Sequence, residues 1–336
     1  MTLEMLGILV LWIFLYGYLI VASIDFGAGF FSYYSVVTKQ DHIINAVIRR
    51  YLSPVWEVTN VFLVFFFVGL IGFFPDTAYY FGTALLVPGS IALVLLAIRG
   101  SFYAFANYGA RQIRFYYFLY GMTGLLIPAS LSTVLTISEG GFIKEEGDRV
   151  IFLAKELLTN PYSWSVVLLS IVSVLFISAS FLTYYASKAE DKPALRIVRG
   201  YALFWSLPTI IASFLVFVSI RNHNVEHFNS MLDYSWLFVL SFACFLVALG
   251  LIMKEKAYGV AFIFVMLQFA FAFFGYGVSH LPYILYPFIT IHDSITSPQM
   301  GQALVIAFIA GLFLLVPSLI LLMRLFLFNA DYVKGK

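Results

Sequence analysis

Nine stretches of about 20 mostly apolar residues occupy most of the chain, near 5–32, 54–74, 78–98, 114–136, 163–187, 200–220, 232–253, 257–279 and 302–328. That length is what an α-helix needs to cross the roughly 30 Å hydrocarbon core of a bilayer. Lipid offers no partner to a backbone N–H or C=O, so each stretch must satisfy its own backbone and is expected to be helical. Of the 336 residues, 62% are hydrophobic and 11% charged, against about 45–50% apolar and about a quarter charged in soluble domains. No globular core buries that much apolar surface. The expected fold is therefore all-α, a polytopic membrane protein of about nine transmembrane helices.

The first apolar stretch carries only Glu4 as a side-chain charge before Asp25 and lacks a basic leader, so it reads as a retained helix and not as a cleaved signal. Basic residues give an orientation. Fifteen of the 19 Lys and Arg follow alternate stretches: Lys39, Arg49, Arg50, then Arg99, Arg111, Arg114, then Lys188, Lys192, Arg196, Arg199, then Lys254, Lys256, and finally Arg324, Lys334, Lys336. Lys144, Arg149, Lys155 and Arg221 fall on the other side. Cytoplasmic loops are enriched in Lys and Arg, which puts the N-terminus outside and the C-terminus in the cytoplasm. The longest interruption, 137–162, is rich in charge (Glu139, Lys144, Glu145, Glu146, Asp148, Arg149, Lys155, Glu156) and is expected to be a short amphipathic helix lying on the outer surface.

A net charge of +2 gives no reason to expect nucleic acid, and a single cysteine, Cys244, excludes a disulfide framework or a multi-cysteine metal site. Five histidines (His42, His223, His227, His280, His292) fall in expected loops or at helix ends, where none suits an axial haem ligand inside a bundle. His223 and His227 have metal-compatible spacing on a helix but no obvious third ligand, so they read as a solvated outer loop and no metal is expected. Tyr162 and Trp164 suit interfacial anchoring. The aromatic runs around Phe62 and Phe271 read as lipid-facing or packing surface.

Ionisable groups at bilayer depth cost about 2.5–3.5 kcal/mol even on lenient insertion scales and are functional candidates by default. Three qualify: Asp25 near the end of the first stretch, Glu57 at the start of the second, and Arg99 closing the third. All three fall toward the cytoplasmic half. In one reading an acid pairs with Arg99 and locks helix packing, or Asp25 simply ends its helix in water. In the other, the two carboxylates line a path that carries protons inward. Gly27, Gly29 and Gly100 permit close helix approach under either reading.

The run Asp25-Phe26-Gly27-Ala28-Gly29, Pro54-Val55-Trp56-Glu57, Phe74-Pro75 and Arg99-Gly100, in that order, resembles subunit II of the cytochrome bd-type quinol oxidases. The likeness is densest over 1–110. Two departures mark a divergent branch: Ser23 stands where the family commonly has an Asp, and Glu57-Val58-Thr59 replaces an Asp-Gly-Asn.

The resemblance implies two four-helix bundles plus one extra helix, with 1–136 as the first bundle, 137–162 as the outer loop, 163–279 as the second bundle, and 280–336 as the ninth helix and cytoplasmic tail. It implies a multi-pass protein of a bacterial or archaeal cell membrane. It implies a complex that oxidises quinol, with menaquinol the expected one, and reduces oxygen to water. Haem b and haem d are expected in the partner subunit I, with no cofactor ligated by this chain. A small single-span accessory subunit and membrane lipids are further expected partners. Carried over by position, Asp25 and Glu57 become the proton-path acids, Arg99 their electrostatic partner, and Trp56 a packing residue nearby. A secondary transporter with an intramembrane Asp/Glu/Arg site is the rival reading, although no inverted repeat of that constellation appears over 160–280. A purely structural assembly partner is the third.

Overall fold

A computed structural model of the chain describes residues 2–107, 113–147 and 149–326, without the side chains of 46, 49–58, 102–107, 113, 322, 323, 325 and 326. Helices α1 (Leu3–Val37) and α2 (Asp41–Phe73) form an antiparallel pair. They are followed by α3 (Thr77–Ala84), α4 (Leu86–Asn107), α5 (Ile113–Leu131) and α6 (Thr133–Ser138). A hairpin of β1 (Ile143–Glu146) and β2 (Arg149–Phe152) and the short α7 (Ala154–Thr159) lead into α8 (Pro161–Lys188). Then come α9 (Lys192–His223), α10 (Val225–Asp233), α11 (Ser235–Met253) and α12 (Tyr258–His280). A second small hairpin, β3 (Tyr283–Leu285) with β4 (Ile289–Thr290), precedes α13 (Pro298–Phe326).

The chain is thus an all-α integral membrane protein. Among the described residues seven helical segments are long and apolar enough to cross a bilayer: α1, 114–138, α8, α9, α11, α12 and α13. The pair α3–α4 adds an eighth when counted as one span, bent by 71°. The sequence suggested a continuous span over 78–98, and Pro88 accounts for the break. Just inside the start of α4 its missing N–H costs nothing, whereas in a continuous helix it would remove a hydrogen bond and clash with the preceding turn. The described apolar part of α2 is Thr59–Phe73. In place of one amphipathic helix over 137–162, the chain forms the β1–β2 hairpin and six-residue α7. Gly140 and Gly141 turn it sharply at φ values of +83° and +80°, which a side chain rarely tolerates.

Burial sorts the helices. α8 is the most enclosed span and α13 the least. Large apolar side chains on the outside, among them Leu86, Leu93, Phe204, Ile306, Phe313 and Leu314, form the surface offered to lipid or to a partner subunit. α1 sits between two cores. Ile20, Ile24, Ala28 and Phe31 pack with Phe181, Val198, Phe245 and Phe262. Leu11, Phe14, Tyr18 and Phe26 pack with Phe66, Phe73, Ile127 and Phe308. The α1–α8 crossing is backbone-close: a Cβ on Gly27 would lie 2.4 Å from the Ser178 Cβ and 2.8 Å from the Val174 carbonyl. Ser178 Oγ donates across that gap to the Ile24 carbonyl at 2.8 Å.

Gly27→Ala is therefore expected to lower stability by about 1–3 kcal/mol through overpacking. Gly200→Ala, with nothing within 4 Å of the added Cβ, serves as the neutral comparison. Thermal unfolding of the two purified variants checks this, and equal transitions would refute the close-approach account.

Candidate active-site region

Asp25 lies twelve residues before the end of α1, so the helix does not end there in water. Its side chain is 2% exposed and that of Arg99 is 0% exposed. Arg99 does not close its helix either, because α4 runs on to Asn107. Arg99 Nε donates to Asp25 Oδ2 at 2.9 Å, and Nη2 donates to the Asp25 carbonyl at 2.6 Å. Nη1 donates to the Tyr120 carbonyl at 2.9 Å and to Thr123 Oγ1 at 3.3 Å. Tyr120 Oη donates to the other carboxylate oxygen, Oδ1, at 3.1 Å. The guanidinium also sits over the Tyr120 ring, 4.1 Å from its centroid, with the Phe26 ring at 5.2 Å.

Local sequence makes the space. A Cβ on Gly29 would lie 2.8 Å from the Tyr120 carbonyl and 2.9 Å from Arg99 Nη1. One on Gly124 would lie 2.2 Å from the Phe26 carbonyl. Two glycines thus let α1 and α5 approach until the planar guanidinium fits between them. Gly27 serves the α1–α8 contact instead, and Gly100 follows Arg99 half-buried within α4. The expected Asp25–Arg99 juxtaposition is present. Tyr120, Thr123 and Gly124 went unnoticed in the sequence, where their one signal is a Tyr-x-x-Thr-Gly run at helical spacing on an apolar helix. The side chains of Glu57 and Trp56 lie outside the described residues.

This arrangement can hold a carboxylate at bilayer depth in a fixed place. Both of its oxygens are engaged, by a delocalised cation and a phenol, and a guanidinium offers more than one donor to that task. Leaving either charge alone there would be costly.

The histidines require a correction. His227 is not solvated: its side chain is 2% exposed, and Nδ1 lies 2.8 Å from Glu139 Oε1. His223 is also packed, stacked between the rings of Phe142 and Tyr162. Its Nε2 is 3.1 Å from the Gly140 carbonyl. Tyr162 is buried there and does not act as an interfacial anchor, whereas Trp164 is exposed. Glu139 gathers His227, His280, Tyr276 and Asn224 around its carboxylate. The cause is tertiary. Glu139 follows α6, His227 is on the first turn of the short α10 and His280 ends α12, all on the side assigned to the outside, a coincidence visible in the sequence only once the helices are placed. Burial pushes the Glu139 carboxyl up, but His280, His227 and Tyr276 outweigh it and hold it below the usual carboxylate range.

Tyr120→Phe is expected to lower stability by about 1–3 kcal/mol, the worth of a hydrogen bond to a charged group. Arg99→Lys is expected to cost more, since an ammonium cannot reach Asp25, Tyr120 and Thr123 together. The order wild type, Tyr120→Phe, Arg99→Lys in thermal unfolding checks this, and an Arg99→Lys variant as stable as wild type would contradict it.

The family model for cytochrome bd terminal oxidase subunit II matches residues 3–326. A Bacillus subtilis (strain 168) protein, provisionally named a cytochrome bd menaquinol oxidase subunit II, is 32% identical over 341 residues, spanning 98% of this chain and 97% of that one. A chain of the solved bd oxidase of Geobacillus thermodenitrificans superposes with a TM-score of 0.86 at 59% identity, covering 98% of this chain and all of that one.

Proposed function

The chain belongs to the cytochrome bd terminal oxidase subunit II family, and we propose that within such an oxidase it is the haem-free subunit that braces the haem-bearing subunit I and carries a proton path from the cytoplasm. Membership makes it a subunit of a respiratory oxidoreductase complex that contains haem and a partner subunit. The rest is our reading. The observation that carries it is the buried Asp25–Arg99 pair, an ionisable acid kept at bilayer depth beside a fixed cation.

In this reading the haems, held by subunit I, supply electrons to oxygen. Among the described residues, the enclosed histidines do not suit a haem. His227 and His280 both contact Glu139, and their ring centroids lie 4.9 Å apart. The task left to this chain is to hold and move protons. Water formation consumes protons, and uptake from the cytoplasmic side makes the reaction electrogenic. With the N-terminus outside, Asp25 lies beyond the midpoint of α1, toward the cytoplasm. Its place in α1 is fixed by Arg99 and Tyr120, while Glu57 on α2 provides a second acid on the same side of the membrane. The named Bacillus relative supports menaquinol as the substrate of the complex. Family membership displaces the transporter reading. A purely structural pair is the second reading, favoured by the way all three guanidinium nitrogens of Arg99 are committed to fixed acceptors.

The two readings separate by mutation. Asp25→Asn and Glu57→Gln are expected to lower oxygen-reduction turnover by about tenfold or more while the haem spectra of the complex stay normal, and Asp25→Glu restores part of the rate. Wild-type turnover in both amide variants would remove these acids from the proton path and leave the pair a packing device.

A further inference from the structure

At the other end of the bundle, far from Asp25, lies a second cluster. Ser178, which meets Gly27 beside Asp25, is seventeen residues along α8 from Pro161, or roughly 25 Å at 1.5 Å per residue. The Glu139 cluster sits at the Pro161 end. Glu139 follows α6, His227 is on the first turn of α10, and His280 is the last residue of α12. One donor atom from each lies within 4.8 Å of the other two. Glu139 Oε1 is 2.8 Å from His227 Nδ1 and 3.4 Å from His280 Nδ1.

We propose that Glu139, His227 and His280 form a binding site for a borderline divalent transition metal of the zinc type. Three facts support it. First, the donor set is two imidazoles and one carboxylate, a set that binds Zn²⁺ with a fourth position left to water or another oxygen. Tetrahedral bonds of about 2.0–2.1 Å put ligand atoms about 3.3 Å apart, and the separations here lie on either side of that value, so small side-chain movements suffice.

Second, the surrounding shell is already built. Metal-bound histidines usually fix their ring by hydrogen-bonding the other nitrogen. His227 Nε2 lies 2.8 Å from Ser279 Oγ, which in turn donates to the Tyr276 carbonyl at 2.8 Å. Asn224 Nδ2 donates to Glu139 Oε2 at 3.2 Å, and the Tyr276 hydroxyl donates to Oε1. Asn224 also caps α10 by accepting from the His227 N–H at 3.1 Å, which sets the position of that ring.

Third, the charge needs a partner. The Glu139 side chain is 0% exposed, and its ion-pair partners among the described residues are the two histidines, with no Lys or Arg. A divalent ion would neutralise the buried carboxylate and leave both imidazoles neutral, the form that ligates metal. Copper would also fit such nitrogen and oxygen donors, whereas magnesium and calcium prefer all-oxygen sites. The ion would tie the α6 end, α10 and α12 together, and so clamp the end of the bundle where the two hairpins emerge.

The test uses the intact detergent-solubilised oxidase complex, stripped with a chelator and then dialysed against Zn²⁺. Bound zinc is counted by mass spectrometry, and thermal unfolding is followed alongside. The wild-type complex is expected to hold one zinc ion more than Glu139→Gln and to unfold at a higher temperature with zinc than without it. Ser279→Ala, which leaves all three ligands in place, is expected to weaken that binding by about 10–100-fold and decides the matter if Glu139→Gln does not assemble. Equal zinc content and affinity in wild type and in whichever variants assemble would overturn the proposal and leave the cluster a hydrogen-bonded acid–imidazole pair.

Discussion

A guanidinium placed where only apolar side chains should be is the constraint around which the first half of this protein is arranged. Arg99 cannot sit on α4 at bilayer depth unless something opposite it is anionic and close, because an isolated charge in hydrocarbon is expensive. Asp25 meets that need at 2.9 Å. The remaining donors must also be satisfied, and they are met by main-chain carbonyls of Asp25 and Tyr120. A bond to a backbone carbonyl fixes a helix and not merely a rotamer. One side chain therefore sets the positions of α1, α4 and α5 together. The glycines at 29 and 124 are the backbone's half of the same device, since a methyl group at either place would strike a carbonyl oxygen.

α1 transmits this arrangement. It shares Asp25 with the Arg99 site on one side and packs through Gly27 against α8 on the other. α8 in turn starts next to the Glu139 cluster, where Asn160 caps its first turn and Tyr162 stacks on His223. Two enclosed ionic centres thus lie in opposite halves of one helical framework. They differ in kind. The Asp25 centre pairs its acid with a permanent cation, while the Glu139 centre pairs its acid with imidazoles, whose ring nitrogens can also ligate a metal ion.

Much of this was legible in the sequence, for a physical reason. Apolar length reports membrane spans directly, because lipid imposes both the length and the helical backbone. Asp25 and Arg99 stood out for the same reason, since a charge inside such a run is a signal against a quiet background. Tyr120, Thr123 and Gly124 were not legible, because an aromatic, a hydroxyl and a glycine are ordinary in membrane helices and acquire meaning only when α5 is laid against α1. The break between α3 and α4 hides in an unbroken apolar run and is marked only by Pro88. The histidines show the opposite failure. Placing His223 and His227 in a polar loop was correct as to composition and wrong as to exposure, because the segment packs over the helix ends, where His227 meets Glu139 and His280 and His223 stacks between Phe142 and Tyr162. Contacts between residues 139, 227 and 280 depend on how the ends of α6, α10 and α12 pack together, and no local pattern encodes that.

The claim that the Asp25–Arg99 pair organises the first half of the chain is tested most directly by a double-mutant cycle of Asp25→Asn and Arg99→Met on the solubilised complex, read by thermal unfolding. Each single variant strands a buried partner and should destabilise strongly, by about 3–5 kcal/mol for loss of one member of a buried pair. The double variant should cost less than the sum of the two single losses, with a coupling energy of about 1–3 kcal/mol. Strictly additive effects would contradict the account, because they would mean that neither residue depends on the other for its place in the membrane.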